Sequence, residues 1–188
     1  MRQSNWASVI MSVIVVIAAA GYAGLTGCAK KAAPPLPAND RRRADLLGIR
    51  EDTLTQLYRL HETARPEIEQ APGYAVFSNE QAPGTVGGGA EGYGVVIDNS
   101  TTLPTYMKME QTAPPSRQPV QLDEYRIVFV FPDQATMRNF AQNGWKFGPP
   151  GSPPPAGKPL KIYRLTHTGV EVASAVPSTR YWRYDELN

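Results

Sequence analysis

Few side chains in this 188-residue sequence are equipped for chemistry, and their spacing limits what that chemistry can be. Gly87-x-Gly89-x-x-Gly92 has the spacing of a dinucleotide-binding loop. Such a loop needs a strand before it and a helix after it, so that the helix N-terminus faces the pyrophosphate. Here "YGVVID" follows, which has the pattern of a strand. Glu110 stands near the distance at which an acid would hold a ribose, but it falls on a predicted strand beyond a turn. No Gly-Lys-Ser/Thr follows, so a phosphate-gripping loop is missing too. The expectation is that no nucleotide binds. Glycines in strand country instead permit positive φ, bulges and close approach of two backbones. They also expose amides that an anion can bridge. Gly87, Gly88, Gly89 and Gly92, with Lys108 from "TYMKMEQ", are therefore the candidate anion- or lipid-binding group.

The remaining reactive types are sparse. His61 and His167 are the only histidines and stand over a hundred residues apart. His61 falls on the apolar face of a predicted helix, where a packed, hydrogen-bonded imidazole is expected; His167 sits in a predicted turn before Gly169. A zinc site would need carboxylates to complete it, so neither a metal nor any other cofactor is expected. No Gly-x-Ser-x-Gly elbow occurs. The pairs Asp123-Glu124 and Asp185-Glu186 are adjacent, and neighbours on a strand point to opposite faces, which is poor geometry for shared acid–base work. Aromatic and basic residues alternate at Trp145-Lys146-Phe147 and from Arg180 to Tyr184. Such alternation can stack on bases or sugars, or sit at a lipid headgroup layer. It also suits side chains that plug the domain's ends while the arginines face water, which a core without disulfides favours.

Cys28 is the only cysteine, which excludes a disulfide within the chain. It ends a block that runs without charge from Gln3 to Gly27, with Arg2 alone ahead of it. An apolar stretch behind a positive residue fits an export signal, and its length is also enough for a membrane-spanning helix. The block closes on Leu25-Thr26-Gly27-Cys28, where small residues let a peptidase approach and the thiol is the natural acyl acceptor. This "LTGC" resembles the lipobox of bacterial lipoproteins. The resemblance implies cleavage between Gly27 and Cys28 and a diacylglycerol on the sulfur. Residue 29 is Ala rather than Asp, which by the same resemblance implies the outer membrane, facing the periplasm. Each buried methylene contributes about 0.8 kcal/mol, so two or three acyl chains hold a protein essentially permanently.

The expected organisation is a signal peptide over 1–27, a lipidated Pro/Ala tether over 28–39, and one domain over 40–188. At about 3.1 Å per residue the tether spans roughly 35 Å. Lys30, Lys31, Arg41, Arg42 and Arg43 crowd the start of the mature chain, whereas residues 44–188 carry 13 basic against 16 acidic side chains. A basic foot under a slightly acidic body suits an anionic membrane surface, each cation near it contributing about 1 kcal/mol. It equally suits a solvated tether. It does not suit a nucleic-acid binder, whose basic stripe should lie on the folded domain.

Within the domain, a helix capped by Asn39 or Asp40 should bury Leu47, Leu54, Leu57, Tyr58, His61 and Ala64, and Pro66 should break it and open "PEIEQA". Strands are predicted at 74–78, 92–98, 105–111, 125–131, 161–167 and 170–176. A helix over "DQATMRNFAQNG" should be capped by Asp133 and stopped by Gly144. The proline-rich stretches 112–119 and 148–159 cannot join a sheet ladder. The fold class expected is α+β: a mainly antiparallel sheet, partly barrel- or sandwich-like, with two or three helices.

Seven segments then carry a resemblance: "LYRLHET", "APGYAVFSN", "GGGAEGYGVVIDNST", "TYMKM", "FVFPDQATMRNFAQNGWKFG", "YRLTHTGVEV" and "TRYWRYDELN". In that order they resemble the SYLF domain family, and more closely its bacterial lipoprotein branch, over about residues 54–188. Relatives usually have a second glycine-rich strand after "TYMKM" and a Gly/Ala-rich stretch after "GWKFG"; here both places are prolyl. Eukaryotic members bind phosphoinositide membranes and actin, and no reaction is known for the family. The resemblance implies a non-catalytic module, held at the membrane through acylated Cys28, that binds phospholipid headgroups or another envelope protein. The alternative is an envelope protein that supports assembly without a small ligand.

Overall fold

A computed structural model describes residues 36–79, 90–112, 124–149, 160–173, 176 and 178–188. Among these residues three helices, α1 (Ala38–Leu60), α2 (Ala64–Gln70) and α3 (Gln134–Asn143), pack on eight strands. These are β1 (Gly73–Ser78), β2 (Ala90–Asp98), β3 (Pro104–Gln111), β4 (Arg126–Val130), β5 (Trp145–Lys146), β6 (Lys161–Thr166), β7 (Gly169–Ala173) and β8 (Thr179–Arg183). A short 3-10 turn, Asp185–Leu187, follows. The strands form one sheet in the order β5-β8-β3-β2-β1-β4-β6-β7, and each neighbouring pair is antiparallel. The fold is α+β with a mainly antiparallel sheet, a curled half-barrel.

The curl follows from the side chains on one face. In the sheet order β8 and β4 stand four places apart, which in a flat sheet means about 19 Å. Yet the rings of Tyr181 on β8 and Phe129 on β4 have centroids 5.1 Å apart. Phe77, Phe140 and Phe147 join them, with Trp145 and Phe131 against Phe140. Alternate residues of each strand point inward, so this aromatic interior draws from β1, β2, β3, β4, β6 and β8, and α3 closes it with Met137 and Phe140.

The outer face is covered by α1 and α2. Leu46, Leu57, Ala64 and Ile68 pack on Tyr74, Val76, Val95, Ile97, Tyr106, Val128, Tyr163 and Leu165. The fully buried positions of α1 are Leu46, Thr53 and Leu57, one step round from the expected stripe; Leu47, Leu54 and Tyr58 flank it. Thr53 is tolerated there because its hydroxyl donates to the Ile49 carbonyl at 2.6 Å. His61 caps the helix rather than lying on its face, and its ring meets Tyr163 edge-on. Pro37 holds the N-cap position, and neither Asn39 nor Asp40 caps the helix, since both lie inside it. Pro66 falls in the first turn of α2, where a missing N–H costs nothing, so the helix begins two residues earlier than its proline.

Both ends of α3 match expectation: Asp133 accepts from the Thr136 N–H at 2.8 Å, and Gly144 ends the helix with φ of 65°. Two strands were not anticipated, β5 and β8, both built from the aromatic-basic alternations. The expected strand 170–176 is Gly169–Ala173 here.

Candidate functional site

α1 crosses the outer face diagonally. Near its start, the guanidinium of Arg42 lies 4.1 Å from the centre of the Tyr93 ring on β2. Near its end, His61 meets Tyr163 on β6. β3, β8 and β5 lie on the far side of β2 from this path; Tyr106 near the start of β3 is buried, while the outward Lys108, Glu110, Arg180, Trp182 and Lys146 remain at least partly exposed. Cross-strand register orders them into rows. Lys146, Arg180, Glu110 and Glu91 stand side by side across β5, β8, β3 and β2. One pleat along, Trp182, Lys108 and Tyr93 form a second row, with Tyr184 just beyond.

Cations and rings interlock within these rows. The Lys108 ammonium lies 4.1 Å from the centre of the Tyr184 ring, which packs 5.8 Å from Tyr93. Arg180 stacks on Trp182 at 4.5 Å and donates to Glu110 at 2.8 Å. Lys108 also faces Glu186 at 3.9 Å. A cation over a ring is stabilised by the ring quadrupole, by about 0.5–1 kcal/mol at exposed sites. The face thus keeps three half-buried aromatic rings flat and wet, each beside a charge.

The N-terminus of α1 adjoins this face. Asn39 donates to the Glu186 carbonyl at 3.0 Å, and Arg43 donates to the Leu187 carbonyl and to Asp40, both at 2.8 Å. Arg41 reaches back to the Leu36 carbonyl at 3.3 Å. Arg42 and Arg43, candidates for a membrane-surface contact, lie in α1 and are engaged by their own domain.

The other expected site residues separate. Gly27, Cys28, Lys30, Lys31, Gly87, Gly88 and Gly89 lie outside the described residues. Gly92 is buried on the inner face, where an added Cβ would come within 2.5 Å of the Ser78 carbonyl oxygen and 2.8 Å of Met109. Its role is close strand packing, and its side of β2 is opposite to that of Lys108. Lys108 belongs to the aromatic face. The sequence signal for that face was the aromatic-basic alternation after Arg180; Tyr93 and Glu91 carried none.

A second polar group ties α2 to β6. The Glu67 carboxylate accepts from Tyr163 Oη at 2.5 Å and from Lys161 Nζ at 2.6–2.7 Å. The Lys161 bond, then the Tyr163 bond, holds the Glu67 carboxyl below its usual range, and the same ion pair raises Lys161. Burial foremost pushes Tyr163 up. With every Glu67 oxygen engaged, this group works as a clasp. Among the described residues, no three of His, Cys, Asp and Glu gather as a metal site, and no helix is long and apolar enough to cross a membrane. His167 is exposed in the β6–β7 turn.

No family model matches the chain, and no curated protein is found similar to it.

Proposed function

We propose that this protein is a membrane-anchored envelope lipoprotein whose SYLF-like domain binds lipid headgroups without catalysing a reaction. The lipobox-like "LTGC" supports the anchor at Cys28, and the seven-segment resemblance supports the module. One observation carries the binding role: the aromatic and charged face lies where the chain enters the domain. An acyl group at Cys28 is separated by eight residues, 28–35, from Leu36, a reach of about 25 Å. On this reading the anchor and the face that carries Tyr93, Lys108, Trp182 and Tyr184 meet the same bilayer. Flat amphipathic rings beside charges suit the interfacial layer, where one end is apolar and the other wet.

Co-sedimentation with vesicles tests the reading, using unacylated residues 29–188, which retain both hydrophobic clusters and every described element. Binding is expected, and Trp182→Ala should weaken it about tenfold or more, as for loss of an aromatic anchor. Unchanged binding by a folded Trp182→Ala protein would move the site elsewhere. No binding to any vesicle would leave the assembly-supporting role instead.

A further inference from the structure

The charges on this face have an order that bears on which headgroup it takes. Across β5, β8, β3 and β2 the row reads Lys146, Arg180, Glu110, Glu91: two cations, then two carboxylates. All four point outward, because directly opposed residues in an antiparallel sheet share a face. Lys146, Arg180 and Glu91 are exposed and Glu110 is half-buried. Like charges stand directly opposite each other twice, Lys146 against Arg180 and Glu91 against Glu110, an arrangement that destabilises a sheet. Among the described residues of this row, the central pair, Arg180 with Glu110, relieves it internally. The next row adds Lys108 between Trp182 and Tyr93, with Glu186 beside it.

An anionic lipid gains little here. Glu110 pairs with Arg180 and Glu186 faces Lys108, so two of the three cations offered to a phosphate, though not Lys146, already have a carboxylate beside them. A headgroup carrying both signs fits better. Its phosphate and ammonium are separated by two methylenes, which is about one strand spacing, roughly 4.8 Å. Laid along the row, the phosphate rests over Arg180 with Lys146 at its side, and one strand on the ammonium rests over Glu110 with Glu91 at its side. The rings of Trp182 and Tyr93 lie beside it, and an aromatic face also accepts an ammonium.

Resting on the reading that the face meets a membrane, we infer that the bipolar row Lys146–Arg180–Glu110–Glu91 selects a zwitterionic phospholipid headgroup, its phosphate toward β5 and β8 and its ammonium toward β3 and β2.

Vesicles of phosphatidylethanolamine with phosphatidylcholine, and the same vesicles with phosphatidylglycerol added, separate the possibilities for unacylated residues 29–188. Binding to the zwitterionic vesicles is expected to be at least as strong as to the anionic ones, and nearly unchanged by added salt. Glu91→Gln with Glu110→Gln should lower zwitterionic binding about tenfold and shift preference to phosphatidylglycerol, two charges near the surface being involved. Lys146→Gln, at an exposed position, should weaken both, and it covers the case in which the double variant unfolds. Binding that requires phosphatidylglycerol and disappears in high salt overturns this inference and leaves the membrane role standing. Absence of binding to either vesicle overturns both.

Discussion

At the scale of single residues, the interior of the half-barrel contains polar atoms that its packing does not need. Tyr125 is fully buried beside the aromatic cluster, and its hydroxyl has no hydrogen-bond partner among the described residues. Burial pushes its phenol well above the usual range, consistent with a group withdrawn from water. A buried hydroxyl without a partner costs about 1–3 kcal/mol, whereas the ring itself remains favourable. Tyr125→Phe is therefore expected to leave the fold intact and to melt at the same temperature or about 2–4 °C higher. A clear drop in melting temperature would show that the hydroxyl has a role the packing does not reveal. Residue type alone does not carry this information: Tyr125 opens a strand-like run, and only the curl brings that strand under the aromatics of β8. Gly92 shows the converse. The glycines were legible as close-approach positions, but which face they served was not, because a strand's two faces are equivalent until helices choose one.

At the scale of elements, local signals were read well where one residue fixes geometry. Asp133 and Gly144 bound α3 because a side-chain cap and a left-handed φ are local requirements. β8 was legible in part: its alternation reads as rings that plug the domain while the arginines face water, which holds for Tyr181 and Arg180, but nothing local marks it as a strand. Neither could the clasp between α2 and β6 be foreseen, as Glu67 and Lys161 are 94 residues apart. The clasp predicts a pH dependence. Because the folded pKa of Glu67 is depressed, its bonds contribute fully above the ordinary carboxylate pKa and are lost as pH falls through the depressed value. Lys161, raised, gives the opposite limit: its contribution is complete below the ordinary lysine pKa and lost as pH rises through the raised one. Both side chains are about a third or more exposed, so solvent screening keeps the effect to about 1 kcal/mol or less. Glu67→Gln should melt slightly below the parent at pH 7, and the difference should close in acid, once the pH falls below the depressed Glu67 pKa. A difference that persists there would assign the loss to packing instead of charge.

At the scale of the whole molecule, the proposed function takes affinity and orientation from different parts of the chain. The outer face of the sheet is shared unequally: α1 and α2 cover β1, β2, β4 and β6 and Tyr106 of β3, and the rest of β3 with β8 and β5 keeps its outward side chains at least partly exposed. An exposed face of half-buried rings and balanced charges cannot by itself hold a protein on a bilayer, since even one fourteen-carbon acyl chain gives only marginal, reversible binding. Two or three acyl chains at Cys28 would supply the retention, and the face beside the N-terminus of α1 would set which side of the domain looks down. This division predicts that Cys28→Ala separates the two properties. The variant should remain folded, with an unchanged melting temperature, because both hydrophobic clusters lie within the described residues from Leu46 to Leu187. It should also lose stable membrane retention, appearing in the soluble fraction or keeping an uncleaved leader, with no acyl mass on the purified chain. A Cys28→Ala protein that is processed at Gly27 and still fully membrane-bound would mean that the face supplies retention on its own, and the lipid anchor would drop out of the account.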